Sequence, residues 1–417
     1  MKRLAKVSLG VIAVLALAVG GSVTYLMVGF PKVGPAPSLK IDATPALLAR
    51  GKYLADNVSG CIDCHSTRDW QAQAGPVIAG TEGAGGERFG EDLGFPGTFY
   101  ASNITPAALR DWTDGELVRA ITTGVSRDGR ALFPVMPFTA FGTMADEDIR
   151  AIVAYIRTIP PVARQVPASQ ANFPINLIMR SFPQSAAPTP VPPVSDAVAY
   201  GRYLTNAADC ADCHTPKDKG APIPGMELAG GPEFKTPWGS NFGANITPDP
   251  ETGIGKWDRA AFVRLFKSLP PEQARARRVE KGHFNTLMPW TVYAGMTETD
   301  LGAIFDYLQT VKPVKHKVAT PSRWGGASRD ADSGPDAVDV SRYPPEIQQG
   351  YAALRQECGQ CHSVARPLNT AEPNWEAFLG GHIKDREIDI ASARVQQISR
   401  CLQHLQDDRE HAKGNRR

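Results

Sequence analysis

Three short runs in this chain could each do the same chemistry: Cys61-Ile-Asp-Cys64-His65, Cys210-Ala-Asp-Cys213-His214 and Cys358-Gly-Gln-Cys361-His362. Two thiols at this spacing can add to the vinyl groups of a porphyrin, and the adjacent imidazole can then ligate its iron. The motifs use Cys61, Cys64, Cys210, Cys213, Cys358 and Cys361, leaving Cys401 as the remaining cysteine. A lone Cys-x-x-Cys would equally suit a redox dithiol or half of a zinc site. Because every pair here is followed directly by histidine, the pattern predicts three covalently bound c-type haems, with His65, His214 and His362 as proximal ligands.

A six-coordinate iron needs a second axial ligand, in small cytochromes usually a methionine thioether held by a following proline. Met136-Pro137 and Met288-Pro289 lie well downstream of His65 and His214 in such a setting. Met144 and Met296 are the rivals, but each stands at a helix start and is expected to cover that helix's apolar face. A soft sulfur ligand favours ferrous iron and a relatively oxidising couple. No methionine follows Met296, so His382 is the expected distal ligand of the third haem, with His404 and His411 as alternatives. Two histidines would give that haem a lower potential. Cys401 is expected to be a buried small residue.

What positions these groups is an internal repeat. Gly51-Lys-Tyr53-Leu54 before the first motif matches Gly201-Arg-Tyr203-Leu204 before the second. Downstream, Asn103-Ile-Thr-Pro106 matches Asn245-Ile-Thr-Pro248, Trp112 matches Trp257, and Val135-Met136-Pro137-Phe138 matches Leu287-Met288-Pro289-Trp290. Met144 to Ile149 then matches Met296 to Leu301, each opening an amphipathic helix that ends at proline. Asn103 and Asn245 could donate to haem propionates and Trp112 and Trp257 could flank the ring; they read equally well as turn and core residues. The glycines between Gly80 and Gly90 read as plain loop, lacking the strand-turn-helix setting of a phosphate site.

The fold class expected is mainly α: two clear tandem cytochrome c-like haem modules, residues 45–162 and 195–314, and a divergent third, residues 343–417. A proline-rich linker, 163–194, should be extended and semi-rigid. Its apolar stretch from Phe173 to Phe182 is expected to pack between the modules, the other reading being a patch for a partner or the membrane surface. A second linker, 315–342, is polar and aperiodic. From Ile388 the tail repeats apolar residues (Val395, Ile398, Leu402, Leu405) as an amphipathic helix would, and such a stripe usually covers its own core.

Residues 1–40 begin with Lys2, Arg3 and Lys6, then run uncharged from Val7 to Pro31. That length can cross about 30 Å of hydrocarbon as a helix. The basic flank favours an N-inside orientation, so the rest of the chain is expected on the periplasmic side of a bacterial inner membrane. An uncleaved anchor is preferred to a signal peptide because no small-x-small cleavage site is evident. Among 417 residues the net charge is only +2, and no basic cluster interleaves with aromatics, which excludes nucleic acid as a partner class. Gly 39 and Pro 35 point to loop-rich modules in which a buried cofactor supplies much of the core.

The repeated elements resemble the cytochrome c subunit of bacterial membrane-bound dehydrogenases of the alcohol, gluconate, sorbitol and aldehyde types. The resemblance covers residues 45–314, with Gly253-Ile-Gly255-Lys-Trp257 after Asn245-Ile-Thr-Pro-Asp-Pro-Glu a specific match to the family's second half. It implies a periplasmic multihaem subunit, not an enzyme on its own, that takes electrons from a dehydrogenase catalytic subunit. Ubiquinone, or a soluble cytochrome or terminal oxidase, is then the acceptor. Residues 343–417 depart from it, lacking the Met-Pro loop that the family's third module carries. The alternative is a haem enzyme of thiosulfate dehydrogenase or peroxidase type acting at the third haem; a sensor or assembly role is a third class. No nucleophile–base set, dinucleotide fingerprint, flavin or molybdenum motif is evident.

Overall fold

The computed structural model describes residues 2–218, 220–279, 285–319, 322–323, 340–357, 375–376, 379 and 392–414. Helix α1 (Lys2–Gly29) contains one stretch, Gly10–Gly29, long and apolar enough to cross a membrane, and none of it is buried by protein. A first helical unit follows: α2 (Pro45–Tyr53), the motif helix α3 (Cys61–Cys64), α4 (Pro106–Leu109), α5 (Asp114–Thr123), α6 (Phe138–Phe141) and α7 (Asp146–Ile156). Short strands β1 (Arg88–Phe89), β2 (Gly97–Tyr100) and β3 (Gln170–Ala171) form an antiparallel sheet at its edge, in the order β1-β2-β3. Helix α8 (Ile175–Ile178) lies in the connecting segment.

The second unit repeats this plan. It comprises α9 (Ala197–Ala207), the motif helix α10 (Cys210–His214), α11 (Arg259–Lys267), α12 (Pro271–Ala276), α13 (Trp290–Tyr293) and α14 (Glu298–Leu308). Strands β4 (Lys217–Asp218) and β5 (Ala221–Pro222) make a hairpin, and β6 (Glu233–Thr236), β7 (Gly239–Phe242) and β8 (Ser322–Arg323) an antiparallel sheet. Helices α15 (Pro345–Glu357) and α16 (Ser392–Gly414) pack together farther on.

In each unit the first and last helices cross at a glycine. A Cβ on Gly51 would sit 1.9 Å from the Ala151 carbonyl oxygen, and one on Gly201 1.8 Å from that of Ala303. Only a residue without a side chain lets the backbones approach this closely. Around these crossings Leu54, Met144, Ile149 and Ile152 of the first unit and Leu204, Met296, Leu301 and Leu308 of the second are fully buried in one continuous apolar cluster. The two repeats therefore share one core.

Polar groups stitch the repeats together reciprocally. Tyr53 of the first unit donates to Asp300 of the second (2.5 Å) and accepts from the Thr297 amide (3.1 Å). Tyr203 of the second donates to Asp148 of the first (2.6 Å) and accepts from the Ala145 amide (3.2 Å). Each tyrosine thus satisfies a backbone donor at the start of the other unit's last helix, where amides lack intrahelical partners. Arg50 adds a bidentate pair to Asp148, at 2.8 and 2.7 Å. Burial and these acidic partners push both tyrosine pKa values upward.

Both connecting segments do more than link. β3, inside 163–194, pairs with β2, and β8, inside 315–342, pairs with β7, so each unit extends past the proline that ends its last helix. Two-residue strands carry no alternation for sequence to show. The stretch from Phe173 to Phe182 does not pack between the units. Phe173 is 78% exposed, and Arg180 turns instead to the end of α1. The tail stripe does cover its own core: Ile398, Leu402 and Leu405 bury against Ile347, Tyr351 and Leu354, with Cys401 fully enclosed.

Candidate haem centres

Each of the first two motifs forms a short helix opened by a residue in the left-handed region, Gly60 (φ 61°) before α3 and Asp209 (φ 50°) before α10. The histidine that ends each motif is held the same way. Nδ1 of His65 lies 2.7 Å from the Ser102 carbonyl oxygen, and Nδ1 of His214 lies 2.7 Å from that of Ala244. A carbonyl only accepts, so Nδ1 carries the proton and Nε2 keeps its lone pair for a metal. Burial lowers both histidine pKa values, which favours the neutral ring that ligation requires. No described residue hydrogen-bonds to Nε2 of either ring.

Further contacts fix the two histidines alike. The His65 carbonyl accepts from Gly85 (2.7 Å) and the His214 carbonyl from Gly230 (2.6 Å). The next side chain, Ser66 or Thr215, accepts from Gly83 (3.0 Å) or Leu228 (3.1 Å). Gly85 and Gly230 adopt φ 72° and 73°, and a Cβ on either would stand 2.5 Å from the amide nitrogen of Asn103 or Asn245. The loop read as plain from sequence is thus a cradle. Its signal was the repeat of Ala84-Gly85-Gly86 as Ala229-Gly230-Gly231.

Asn103 and Asn245 secure the segment that presents the histidine's acceptor. The Asn103 amide donates to the carbonyls of Val162 (2.8 Å) and Arg164 (3.2 Å), while its oxygen accepts from Thr105 N and Oγ1. Asn245 donates to Val314 (2.8 Å) and His316 (3.3 Å) and accepts from Thr247 in the same pattern. Their donors are spent on backbone, and in the second unit on the Thr252 hydroxyl as well (3.1 Å), so the geometry shows positioning residues in place of propionate donors. Trp112 and Trp257 are half-buried against the shared core.

Met136 and Met288 are half-buried at the core's margin, each followed by a proline at nearly the same angles (φ −78°, ψ 57° and φ −79°, ψ 60°). Each methionine carbonyl accepts from the amide two residues on, at 2.8 Å, closing a tight inverse turn before α6 or α13. Met144 and Met296 are 1% exposed in the core. Cys64 and Cys213 are exposed, Cys61 and Cys210 half-buried, and none is paired in a disulfide. Desolvation, with acidic and cysteine neighbours adding to it, pushes the half-buried Cys61 and Cys210 thiols up to about 12. Reactive dithiols sit instead in electropositive surroundings that lower the pKa. The arrangement therefore fits covalent haem: paired unionised thiols beside a neutral imidazole whose outer nitrogen is oriented by a backbone carbonyl.

Residues 198–312 match the cytochrome c family. This cytochrome c domain spans α9 to α14, the second unit, and a cytochrome c domain supports covalently bound haem c. The chain is 31% identical over 243 residues to the cytochrome c subunit of quinone alcohol dehydrogenase of Gluconobacter oxydans, covering 54% of this chain and 48% of that one. It is 28% identical over 333 residues to the fructose dehydrogenase cytochrome subunit of Gluconobacter japonicus, covering 76% and 63%. A diheme cytochrome c-type protein of Cereibacter sphaeroides is 29% identical over 247 residues, covering 52% and 79%. The chain thus spans about half to under two thirds of the length of the dehydrogenase subunits. Its similarity is to cytochrome c subunits of dehydrogenase complexes. Cys358, Cys361, His362 and His382 lie outside the described residues.

The second unit also reaches the first motif. Val292 of α13 is 3.9 Å from where a Cβ on Gly60 would be. Tyr293, buried beside it, feels Cys210 and Cys213 of its own unit and Cys64 of the other, and its hydroxyl donates to the Ala208 carbonyl (2.8 Å).

Proposed function

We propose that this chain is a multihaem c-type cytochrome that passes electrons from a periplasmic dehydrogenase subunit to the quinone pool or a downstream acceptor. In this reading residues 45–162 and 195–314 are haem modules and 343–417 a third. Cys61, Cys64 and Cys210, Cys213 attach the first two haems; His65 with Met136, and His214 with Met288, would ligate their irons. Cys358, Cys361, His362 and His382 would serve the third. When bound, haem supplies a one-electron couple whose potential the axial ligands and burial set.

The observation that carries the proposal is the duplicated histidine setting, with Nδ1 of His65 and of His214 each 2.7 Å from a backbone carbonyl. A residue placed only for packing has no reason to keep this bond, the flanking glycine bond and the downstream Met-Pro turn in both units. Approach of α13, from the second unit, to Gly60 at the first motif supports a relay, and the likeness to dehydrogenase cytochrome subunits supports the partner. Helix α1, with Lys2 and Arg3 at its start, would anchor the chain with its modules outside the cytoplasm. Mass spectrometry and pyridine haemochrome spectra of protein matured in a host competent for c-type cytochromes should give three haems per chain. The copurified dehydrogenase should reduce them when given its substrate. Free thiols in all three motifs, or haems that no copurifying dehydrogenase reduces, would refute the reading.

A further inference from the structure

The segment from Phe173 to Phe182 is apolar, and the shared core does not enclose Phe173 or Ile178 (78% and 39% exposed). Single exposed apolar residues are ordinary. These differ in what holds them. The Arg180 guanidinium, at the far end of the segment, donates to the carbonyls of Leu26 (3.1 Å), Met27 (2.9 Å) and Phe30 (2.9 Å). Those are the last carbonyls of α1 and its exit, which lack intrahelical partners. At the same exit Tyr25 meets Phe30 edge-on at 5.5 Å, and Lys32 donates to the Tyr25 hydroxyl at 2.9 Å. Aromatic rings and a snorkelling lysine at the end of an apolar helix mark the headgroup level of a membrane.

Both ends of the segment are fastened to the first unit. Gln170 and Ala171 pair with β2, and the Asn172 amide donates to the Pro96 carbonyl (2.9 Å). At the other end Phe182 packs edge-on against Phe133, at 6.3 Å, on the loop that leads to Met136. A segment tied to the module at its ends, and to the membrane exit through Arg180, has its exposed apolar side chains at the depth where headgroups meet acyl chains.

We propose that Phe173 and Ile178 insert into the lipid interface beside the exit of α1, making the segment a second membrane contact that seats the first unit against the bilayer. The inference rests on α1 being a membrane anchor and adds that the first unit, not the second, is the membrane-proximal one.

Photo-crosslinking in native membranes tests it on the full-length, haem-loaded chain. Benzoylphenylalanine replaces Val28 in α1, Phe173 in the segment, or Val198 as an exposed position of the second unit. Illumination should give phospholipid adducts at Val28 and Phe173 and none at Val198, read by mass spectrometry of the labelled peptide. Adducts at Val28 without any at Phe173 would overturn the interfacial contact while leaving the anchor intact. No adduct at either would overturn both, and equal labelling at Val198 would remove the distinction between the units. All three positions are exposed, and unchanged visible spectra verify that each variant has kept its haems.

Discussion

The two units hold their motif histidines through the same backbone bonds and differ in the residues around them. Gly85 and Gly230, Ser102 and Ala244, Asn103 and Asn245 make the same contacts around His65 and His214. At the residue that opens the motif helix, however, the first unit has Gly60 and the second Asp209, both left-handed. Glycine adopts that conformation freely, and aspartate at some cost. Likewise Gly83 (φ 72°) is replaced by Leu228 (φ 61°), and Phe141 by Tyr293. Duplication has kept what orients the imidazole and let the surroundings diverge.

If that division is right, the largest effects come from the motifs and are equal in the two units. Replacing both Cys61 and Cys64 by Ala, or both Cys210 and Cys213, should each lower the chain's mass by one haem. His65→Ala and His214→Ala should each remove one low-spin iron signal. A unit whose cysteines can be removed without change of mass would not be a haem module, and the comparison would break there.

The seam should respond unequally. Asp148 takes two bonds from Arg50 and one from Tyr203, whereas Asp300 takes its cross-unit bond from Tyr53. Asp148→Ala removes three bonds, two of them from the half-buried Arg50 guanidinium, and should cost about 2–4 kcal/mol. Asp300→Ala should cost about 1–3 kcal/mol. Urea titration reads both, and equal losses would show that the reciprocal bonds, not Arg50, dominate. Next come Gly85→Ala and Gly230→Ala. A positive φ and a Cβ driven against backbone should cost roughly 2 kcal/mol in either unit and shift the iron-histidine vibration. Gly80→Ala, with positive φ and open space, is the control and should cost roughly half that.

Much of this was legible in the sequence because covalent haem demands contiguous residues. The motifs, the Met-Pro loops and the repeat could be read directly, and the periodicity of α7 and α14 placed Ile149, Ile152, Leu301 and Leu308 inside. Tyr53, Asp148, Tyr203 and Asp300 all lay within matched stretches, yet their partners could not be seen. Each bonds into the other repeat, and a repeat aligned to itself says nothing about contacts between its copies. In the sequence Asn103 and Asn245 stay open between donors to the haem and turn residues, because a polar residue recurring near a cofactor suits either. The backbone carbonyls they clamp, Val162 and Val314, carry no side-chain signal at all. The Gly85 cradle was overlooked for a related reason: several glycines together look like slack, and only the close approach to Asn103 shows why one of them is required.

Asp209 offers the finest test of how the units differ. Burial, and then Asp212, raises its pKa from the ordinary 3.8 to about 8, with Lys217 opposing. Between those values the folded chain holds a proton that the unfolded chain has released, so stability falls as pH rises through that window. The penalty is absent below pH about 4, grows until pH about 8 and is constant above it. Asp209 is partly solvent-accessible, which trims the loss to on the order of 1–2 kcal/mol. Asp209→Asn should flatten the pH dependence of the melting temperature between those limits and leave stability at pH 4 unchanged. Gly60→Asp, placing the same carboxyl at the first unit's turn, should add a slope of the same sign. A flat profile in the native chain, or a slope that survives in Asp209→Asn, would show that the two turns differ in shape alone and not in charge.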